Sequence, residues 1–283
     1  MTASVVGAIA PRLEQAEIER ASRKPTESLD AYDLLLRGFA NVYKWTREGN
    51  DEALRLFYIA VERDPDFSAA YAAAAGCLSR HKGFGWGIDG EQEAVEARRL
   101  ARRAVQSGKD DAAVLANAGY ALAYVALDLD DGAAFLDRAL IINPNLAFGW
   151  FAGGWGKVWL GEPDRAIERF ARGMRLSPFD PYTIFMEAGT AHAHFYAGRH
   201  DEALTWARMS LRELPDNHAA LRIAAASSAL AGHDEEAKRL MARLLDIDPA
   251  LRVSTLKKIT GPCRRPEYPA MYADGLRKAG LPE

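Results

Sequence analysis

Cysteine is scarce in this chain of 283 residues, which contains only Cys77 and Cys263. Two cysteines so far apart are too few for the disulfide framework of a small secreted domain or for the ligands of a zinc module. We therefore expect reduced thiols. An excess of positive charge is also missing, because 36 basic and 39 acidic residues give a net charge of −3. This balance gives no reason to expect a nucleic-acid partner.

Long apolar runs are missing too. No stretch reaches the roughly eighteen consecutive apolar residues that would cross a bilayer. Residues 1–11 lack the basic start and the long apolar centre of a signal peptide. The composition, 49% hydrophobic and 27% charged, is ordinary for a soluble globular protein. We expect a cytoplasmic protein that does not insert into a membrane.

Catalytic motifs are absent from the sequence. It contains neither a Gly-x-Ser-x-Gly nucleophile elbow nor a Gly-Lys-Ser/Thr phosphate loop. His192, His194 and His200 form a group, but residues two apart on a helix point to different faces and do not readily chelate one metal. Carboxylates such as Asp201 and Glu202 lie near predicted helix N-termini, where they favour the helix dipole. We expect no enzyme activity, no catalytic residue, no metal and no cofactor.

What the sequence does contain is a repeat marked by prolines. Pro144, Pro178, Pro215 and Pro249 are 34, 37 and 34 residues apart, and each follows a segment with helical periodicity. A period of this size is typical of proteins built from stacked helix pairs. The period therefore predicts an architecture, and it does not by itself identify a ligand.

One copy of the repeat is nearly complete: Trp150-x2-Gly153-Gly154-x2-Lys157, then Gly161, Ala166-x3-Phe170-x2-Gly173 and Pro178. It resembles the tetratricopeptide repeat, apart from Gly153 in place of leucine and Lys157 in place of tyrosine. Gly154 and Ala166 are small enough for two helices to approach closely. Phe170 is expected to fill the space between successive pairs, and Gly161 to allow the turn. Pro178, which has no N–H to donate, ends the second helix.

The same frame recurs along most of the chain. Its members are Ala53, Phe57, Ala60 and Pro65; Ala97, Ala101, Ala104 and Lys109; Leu115, Gly119, Gly132, Leu136, Ala139 and Pro144; Ala191, Gly198, Ala203, Ala207 and Pro215; and Leu221, Ala225, Gly232, Ala237, Met241 and Pro249. No segment shows the sustained alternation of a strand. The resemblance implies an all-α fold, a TPR-type α-solenoid in which about six helix pairs form a right-handed superhelix.

Three segments are expected along the chain. Residues 1–28 form an N-terminal helix and linker, residues 29–248 the repeat array, and residues 249–283 a C-terminal capping segment with a last short helix around 271–278. Asp30 is a candidate N-cap for a first helix that runs to about Arg47.

An insertion of about ten residues, His81 to Gly90, interrupts the array within the second pair. Gly85-x-Gly87-x-x-Gly90 matches the dinucleotide-binding fingerprint by letter, but that fingerprint requires a preceding strand, and here a helix precedes it. We expect instead a flexible inter-helix loop that carries Phe84 and Trp86.

Aromatic side chains recur on the first helix of successive pairs, which lines the concave groove in tetratricopeptide arrays. The predicted groove residues are Asn117, Tyr120, Tyr124, Phe148, Trp155, Trp159, Phe185, His192, Phe195, Tyr196 and Arg222. Rings at helical spacing are often core, and an exposed aromatic patch marks an interaction site, so both interpretations stay open. If the groove is open, it binds a protein or peptide partner.

The repeated lysine and asparagine clamp by which chaperone-binding members of the family hold an acidic C-terminus is absent. An apolar or amphipathic segment therefore fits the groove better. One candidate is the chain's own N-terminal helix, whose Val5, Val6, Ile9 and Leu13 form an apolar strip. The alternative function is then a homodimerisation module with the groove filled by that helix.

The ends of the chain carry a second resemblance. The segments Ser4–Arg20, Leu29–Leu34 and Leu276–Glu283 are similar to the C-terminal TPR region of bacterial class III adenylate/guanylate cyclases. This resemblance implies a regulatory or assembly role in a cyclase-like signalling protein. It carries over no catalytic residue, because the cyclase activity of such proteins belongs to a separate domain that is not in this chain.

Overall fold

The computed structural model describes residues 16–21, 30–87 and 89–283, which contain helices and turns and no strand. Six helix pairs follow one another, as the repeat predicts. They are α1 (Ala31–Val42) with α2 (Arg47–Arg63), α3 (Ser68–Phe84) with α4 (Gly90–Ser107), α5 (Ala112–Tyr124) with α6 (Leu129–Ile142), α7 (Ala147–Leu160) with α8 (Pro163–Leu176), α9 (Thr183–Tyr196) with α10 (His200–Glu213), and α11 (His218–Leu230) with α12 (Asp234–Ile247). A 3-10 helix (Val253–Lys258) and α13 (Glu267–Lys278) complete the chain, and residues 16–21 are also helical.

The described residues fall into two compact units. Unit 1 takes those within residues 1–153 and 173–181, and unit 2 takes residues 154–172 and 182–283. The division passes through α7 and α8, so α1 to α6 lie in unit 1 and α9 to α13 lie in unit 2.

In each unit a helix packs mainly on its neighbours in the chain. In unit 1 the two helices of each complete pair pack together, and the first helices α3 and α5 also contact each other directly. In unit 2 α9 packs on α10 and α11 on α12, while the first helices α9 and α11 contact each other. Each first helix thus touches its own partner and the next first helix, which is the nearest-neighbour packing of a helical repeat.

Asp30 caps the first helix, as predicted. Its carboxylate accepts from the backbone N–H of Asp33 at 2.7 Å, and the Asp33 carboxylate accepts from the N–H of Asp30 at 3.3 Å. This reciprocal pair satisfies two backbone donors at the helix start. The predicted extent of the helix was wrong, because α1 ends at Val42 and a turn precedes α2, whose N-cap is Thr46.

The turn inside every pair contains one residue with positive φ. These residues are Trp45 (53°), Gly85 (70°), Leu127 (59°), Gly161 (80°), Gly198 (75°) and Gly232 (83°). Glycine adopts this left-handed conformation without a steric penalty, whereas other L-residues pay roughly 1–2 kcal/mol. Gly161 therefore has its predicted role, and Trp45 and Leu127 make the same turn against their conformational preference.

Phe170 fills the space between two first helices, as the repeat predicts. Its fully buried ring lies against Gly154 on α7 and Gly189 on α9. A Cβ atom at either glycine would overlap the ring. Phe57 lies in the same way against Gly38 in unit 1. A large side chain on a second helix therefore fits because the facing position on the first helix is glycine.

Half of the predicted ten-residue loop between α3 and α4 is helical, because residues 81–84 belong to α3 and Gly90 begins α4. The helices α3 and α4 are 17 and 18 residues long, and only residues 85–89 connect them. Phe84 ends α3, and its ring stacks on Trp86 with centroids 4.4 Å apart. Gly85 closes α3 in the left-handed conformation, and Asp89 caps α4. The insertion lengthens one helix pair, and the three glycines do not follow a strand as the fingerprint requires.

None of the described helices combines the length and the apolar character needed to cross a membrane.

Replacing Leu127 with glycine is expected to stabilise the protein by about 0.5–1 kcal/mol, because glycine adopts the left-handed conformation without strain. The greater conformational entropy of glycine in the unfolded state offsets part of this gain. Little packing is lost, since Leu127 is 56% exposed. Urea unfolding of the wild type and Leu127→Gly checks this. The matched control is Gly161→Ala, which should destabilise the equivalent turn. A lower stability for Leu127→Gly would contradict the strain argument.

Candidate functional site

The predicted groove residues divide into two sets. Six of them are buried: Tyr124, Trp159, His192, Phe195, Tyr196 and Arg222. Five are half-buried: Asn117, Tyr120, Phe148, Trp155 and Phe185. Phe195, with no exposed surface, is a core residue and lines no open groove. The first set is thus buried in this structure, and the second set stays a candidate binding surface. We call the side formed by the first helices of the pairs the first-helix surface.

In unit 1 the first-helix surface carries a row of four rings, which we call the aromatic row: Tyr120, Tyr124, Phe148 and Phe151. Ring centroids are 5.7 Å apart for Tyr120 and Tyr124, 5.4 Å for Tyr120 and Phe151, and 5.5 Å for Phe148 and Phe151. Phe151 was missed by the sequence analysis, although it lies three residues after Phe148 and so on the same helical face. Because Tyr120 and Phe148 are half-buried, the row offers ring surface to a partner.

Polar groups fix the edge of the aromatic row. Lys82 on α3 donates from Nζ to the carbonyl oxygen of Tyr124 at 2.6 Å, and its ammonium lies 4.9 Å from the centre of the Tyr124 ring. Burial lowers the pKa of Lys82 to about 8. Asn117 donates from Nδ2 to the carbonyl oxygen of Ala113 at 3.0 Å. The Lys82 contacts tie α3 to α5 at the row, whereas the Asn117 hydrogen bond lies within α5.

His81 joins three helices in unit 1. Its Nε2 lies 2.8 Å from Oδ1 of Asp51 on α2, and its Nδ1 lies 3.1 Å from Oε1 of Glu93 on α4. Burial disfavours the charged ring, but the two carboxylates outweigh burial and raise the pKa of His81. With both ring nitrogens facing carboxylate oxygens, the imidazolium is the form that satisfies the site.

In unit 2 the C-terminal segment covers the first-helix surface. The backbone N–H of Arg264 donates to the carbonyl oxygen of Trp159 at 2.8 Å. Gly261 lies against the Trp159 ring so closely that a Cβ atom there would overlap it. Tyr268 stacks on Tyr196, with ring centroids 4.4 Å apart and planes 5° apart. The segment thus contacts the ends of α7 and α9.

The helix α13 continues this contact. Tyr272 is 2% exposed, and its ring centroid lies 5.9 Å from those of His192 and Phe195. One turn further on, Gly275 packs against Ala226 of α11. The chain then returns, because the N–H of Val253 donates to the carbonyl oxygen of Pro282 at 2.9 Å. The segment predicted as a cap for the last pair therefore also lies along first helices of earlier pairs.

Arg222 lies beneath α13. It is 5% exposed, and its Nε has no hydrogen-bond partner. Burial, with Arg222 adding to it, lowers the pKa of His218 to about 4. Burial also lowers the pKa of His192 to about 4, again with an unfavourable contribution from Arg222. For Tyr272 burial raises the pKa and Arg222 opposes the rise. His192, His218 and Tyr272 are therefore neutral at pH 7.

The three clustered histidines have separate partners. His192 contacts the carbonyl oxygen of Ala188 through Nδ1 at 2.8 Å, and Arg199 donates to Nδ1 of His194 at 3.0 Å. The His200 ring packs on Phe195, with centroids 5.2 Å apart. Across the described ranges, no group of three His, Cys, Asp or Glu side chains could hold a metal ion.

The described part of the N-terminal segment packs on α1. Ile18 and Ala21 are buried against Leu36, and Arg37 donates to the carbonyl oxygen of Ala21 at 3.0 Å. The predicted apolar strip Val5, Val6, Ile9 and Leu13 lies outside the described residues. Self-association through it stays a prediction.

No protein-family model matches the sequence, and no curated protein matches it either. Solved structures do. A human IFIT1 dimer with m7Gppp-AAAA is 14% identical, with a TM-score of 0.67 over 81% of this chain and 53% of that one. The Cut9–Hcn1 hetero-tetramer of the APC/C is 16% identical, with a TM-score of 0.62 over 95% and 46%. Pseudomonas aeruginosa PilF is 18% identical, with a TM-score of 0.52 over 78% and 93%.

The chain spans about half the length of the IFIT1 chain that it matches. At these identities the likeness shows the fold alone. Because the matched structures are tetratricopeptide-repeat proteins, the all-α, TPR-type α-solenoid fold expected from the repeat is confirmed.

His81 and His192 are expected to make the free energy of unfolding depend on pH in opposite directions. The stabilisation from His81, whose pKa is raised, is fully present below about pH 6.5 and is lost as the pH rises through the folded-state value. His192, with its pKa lowered to about 4, contributes above about pH 6.5, and about 3 kcal/mol is lost as the pH falls towards 4.

Urea unfolding of His81→Gln and His192→Gln across this range checks the prediction, with the wild type as reference at each pH. The cost of His81→Gln should shrink on alkalinisation, and the cost of His192→Gln should shrink on acidification. The same trend in both variants would contradict the assignment.

Proposed function

We propose that this chain is a non-catalytic protein-interaction scaffold that binds an apolar or amphipathic helical segment on its first-helix surface. The observation that carries the proposal is α13. An amphipathic helix of the chain itself occupies this surface in unit 2, and it does so through Tyr268 and Tyr272. The surface therefore has the chemistry to hold a helix with two rings one turn apart.

Unit 1 offers a surface of the same chemistry with ring area exposed. Tyr120 and Phe148 are half-buried and project from the aromatic row, whose other two rings are buried beneath them. Accessible ring surface beside buried aromatic rings is typical of interaction sites. We infer that the external partner binds unit 1.

The matched structures include IFIT1 with m7Gppp-AAAA and the Cut9–Hcn1 hetero-tetramer. A peptide fits this chain better than RNA does. Lys82, the lysine beside the aromatic row, is already bonded to a carbonyl oxygen, and the net charge is −3. A site for nucleic acid would need a cluster of cations to neutralise phosphates.

Helical peptides selected by phage display on the full chain are expected to carry two aromatic or large aliphatic residues one turn apart. Their affinity, measured by calorimetry, should fall at least about tenfold, or about 1.4 kcal/mol, in Tyr120→Ala/Phe148→Ala. The loss follows from removing the two half-buried rings, which carry the accessible surface of the row.

The matched control removes two exposed apolar side chains that are not on a first helix. Ile141 on α6 is 82% exposed, and Phe179 in the turn after α8 is 78% exposed. Ile141→Ala/Phe179→Ala should leave peptide affinity unchanged. Equal losses in the two double variants, or preferential binding of a capped oligonucleotide, would overturn the proposal.

We also propose that the scaffold serves a cyclase-like signalling protein. The support is the resemblance of residues 4–20, 29–34 and 276–283 to the region that follows bacterial class III cyclase domains. Regulation or assembly of the cyclase is then the role, and the catalytic domain is a separate one. The native coding sequence on both sides should encode a class III cyclase domain in frame or next to it. A locus without one would refute this placement.

A further inference from the structure

Arg222 is a buried cation without a counter-ion. It is 5% exposed, its Nε has no hydrogen-bond partner, and no described carboxylate forms an ion pair with it. A buried charge without a partner is unfavourable, and proteins normally pair such groups. Because Arg222 lies on the first helix α11, an anion bound at the first-helix surface could pair with it.

The groups that surround Arg222 do not supply one. His218 precedes it by one turn on α11, and His192 faces it from α9, and both rings are held neutral by burial and by Arg222. From the opposite side α13 presents Tyr272, whose buried hydroxyl has its pKa raised by burial although the neighbouring Arg222 opposes the rise. The built-in helix thus fills the space above the guanidinium with a neutral phenol.

The acidic residues of α13 point elsewhere. Asp274 lies 3.3 Å from Lys278 on the same helix, with more than half of its side chain exposed. Glu267 lies 3.9 Å from Arg265 and is similarly exposed. The buried positions of α13 are Tyr268, Tyr272, Gly275 and Leu276, and none of them carries charge. The helix α13 therefore packs well on the surface but supplies no carboxylate to Arg222.

We propose that α13 is a replaceable occupant of the first-helix surface in unit 2, and that the partner which replaces it is an amphipathic helix placing a carboxylate on Arg222. This inference rests on the proposed function and adds a second binding site, on unit 2, with the chemistry of the helix that binds there. A carboxylate in place of the phenol would form a charge-assisted pair with the guanidinium, which is stronger than a neutral contact. The ring at the position of Tyr268 would keep its stack on Tyr196.

The experiment uses the full chain carrying Tyr268→Ala, which weakens the hold of α13 by removing that stack. The probes are fluorescent peptides spanning residues 261–283, one with Tyr272→Glu and one with the neutral, equally sized Tyr272→Gln. Fluorescence anisotropy should show at least tenfold tighter binding of the glutamate peptide. Arg222→Met in the chain should abolish this difference. Equal affinities, or a preference that survives Arg222→Met, would overturn the proposal.

A second measurement works within one chain and does not depend on displacement. Full chains with Tyr272→Glu and Tyr272→Gln are compared by thermal unfolding, each with Arg222 and with Arg222→Met. The glutamate variant should melt higher than the glutamine variant when Arg222 is present, and lower when it is absent. The same order in both backgrounds would refute pairing at Arg222. Peptide binding to Tyr120 and Phe148 tests the proposed function independently, so the two failures are distinguishable.

Discussion

Close approach between helices is the constraint on which the rest of the structure depends. A large side chain of the second helix needs space, and the first helix provides that space by carrying glycine, which has no side chain, at the point of contact. Phe170 between Gly154 and Gly189, and Phe57 against Gly38, show how little slack there is, since a single methyl group at these glycines would overlap a ring. Once small residues occupy the face towards the second helix, the large residues of the first helix must lie on its other sides. The aromatic rings of the first-helix surface are therefore a consequence of how the pairs pack.

The repeat made most of the fold predictable, because its signals are local. Small residues, turn glycines and helix-ending prolines each act within one pair, so Gly154, Gly161 and Phe170 could be assigned roles without knowing the rest of the chain. The first pair and the third were harder to define, since Trp45 and Leu127 make the turn that glycine makes elsewhere. Nothing in the residue type reveals a left-handed conformation in such cases. Residue type was also a poor guide in the insertion. Its glycines suggested a loop throughout, whereas residues 81–84 extend α3 and Gly90 begins α4.

Only half of the candidate site could be predicted, because the rest depends on contacts between residues that are far apart in the sequence. Periodicity places Tyr120 and Tyr196 at corresponding positions on first helices, and from the sequence they are equivalent. They differ because Tyr268, more than seventy residues further along the chain than Tyr196, stacks on Tyr196, which is buried, whereas Tyr120 is half-buried. Which part of a first-helix surface is open depends on where the C-terminal segment folds back, and the repeat carries no information about that path. The isolated arginine at position 222 became meaningful only when its neutral surroundings were known.

The hydrogen bond between Val253 and Pro282 gives the C-terminal segment an unusual topology. Residues 253–282 leave the last helix pair, run along the first helices and come back to their point of departure, so the two ends of the segment meet. A domain joined after Glu283 would therefore begin beside the last helix pair and not at the far side of the covered surface.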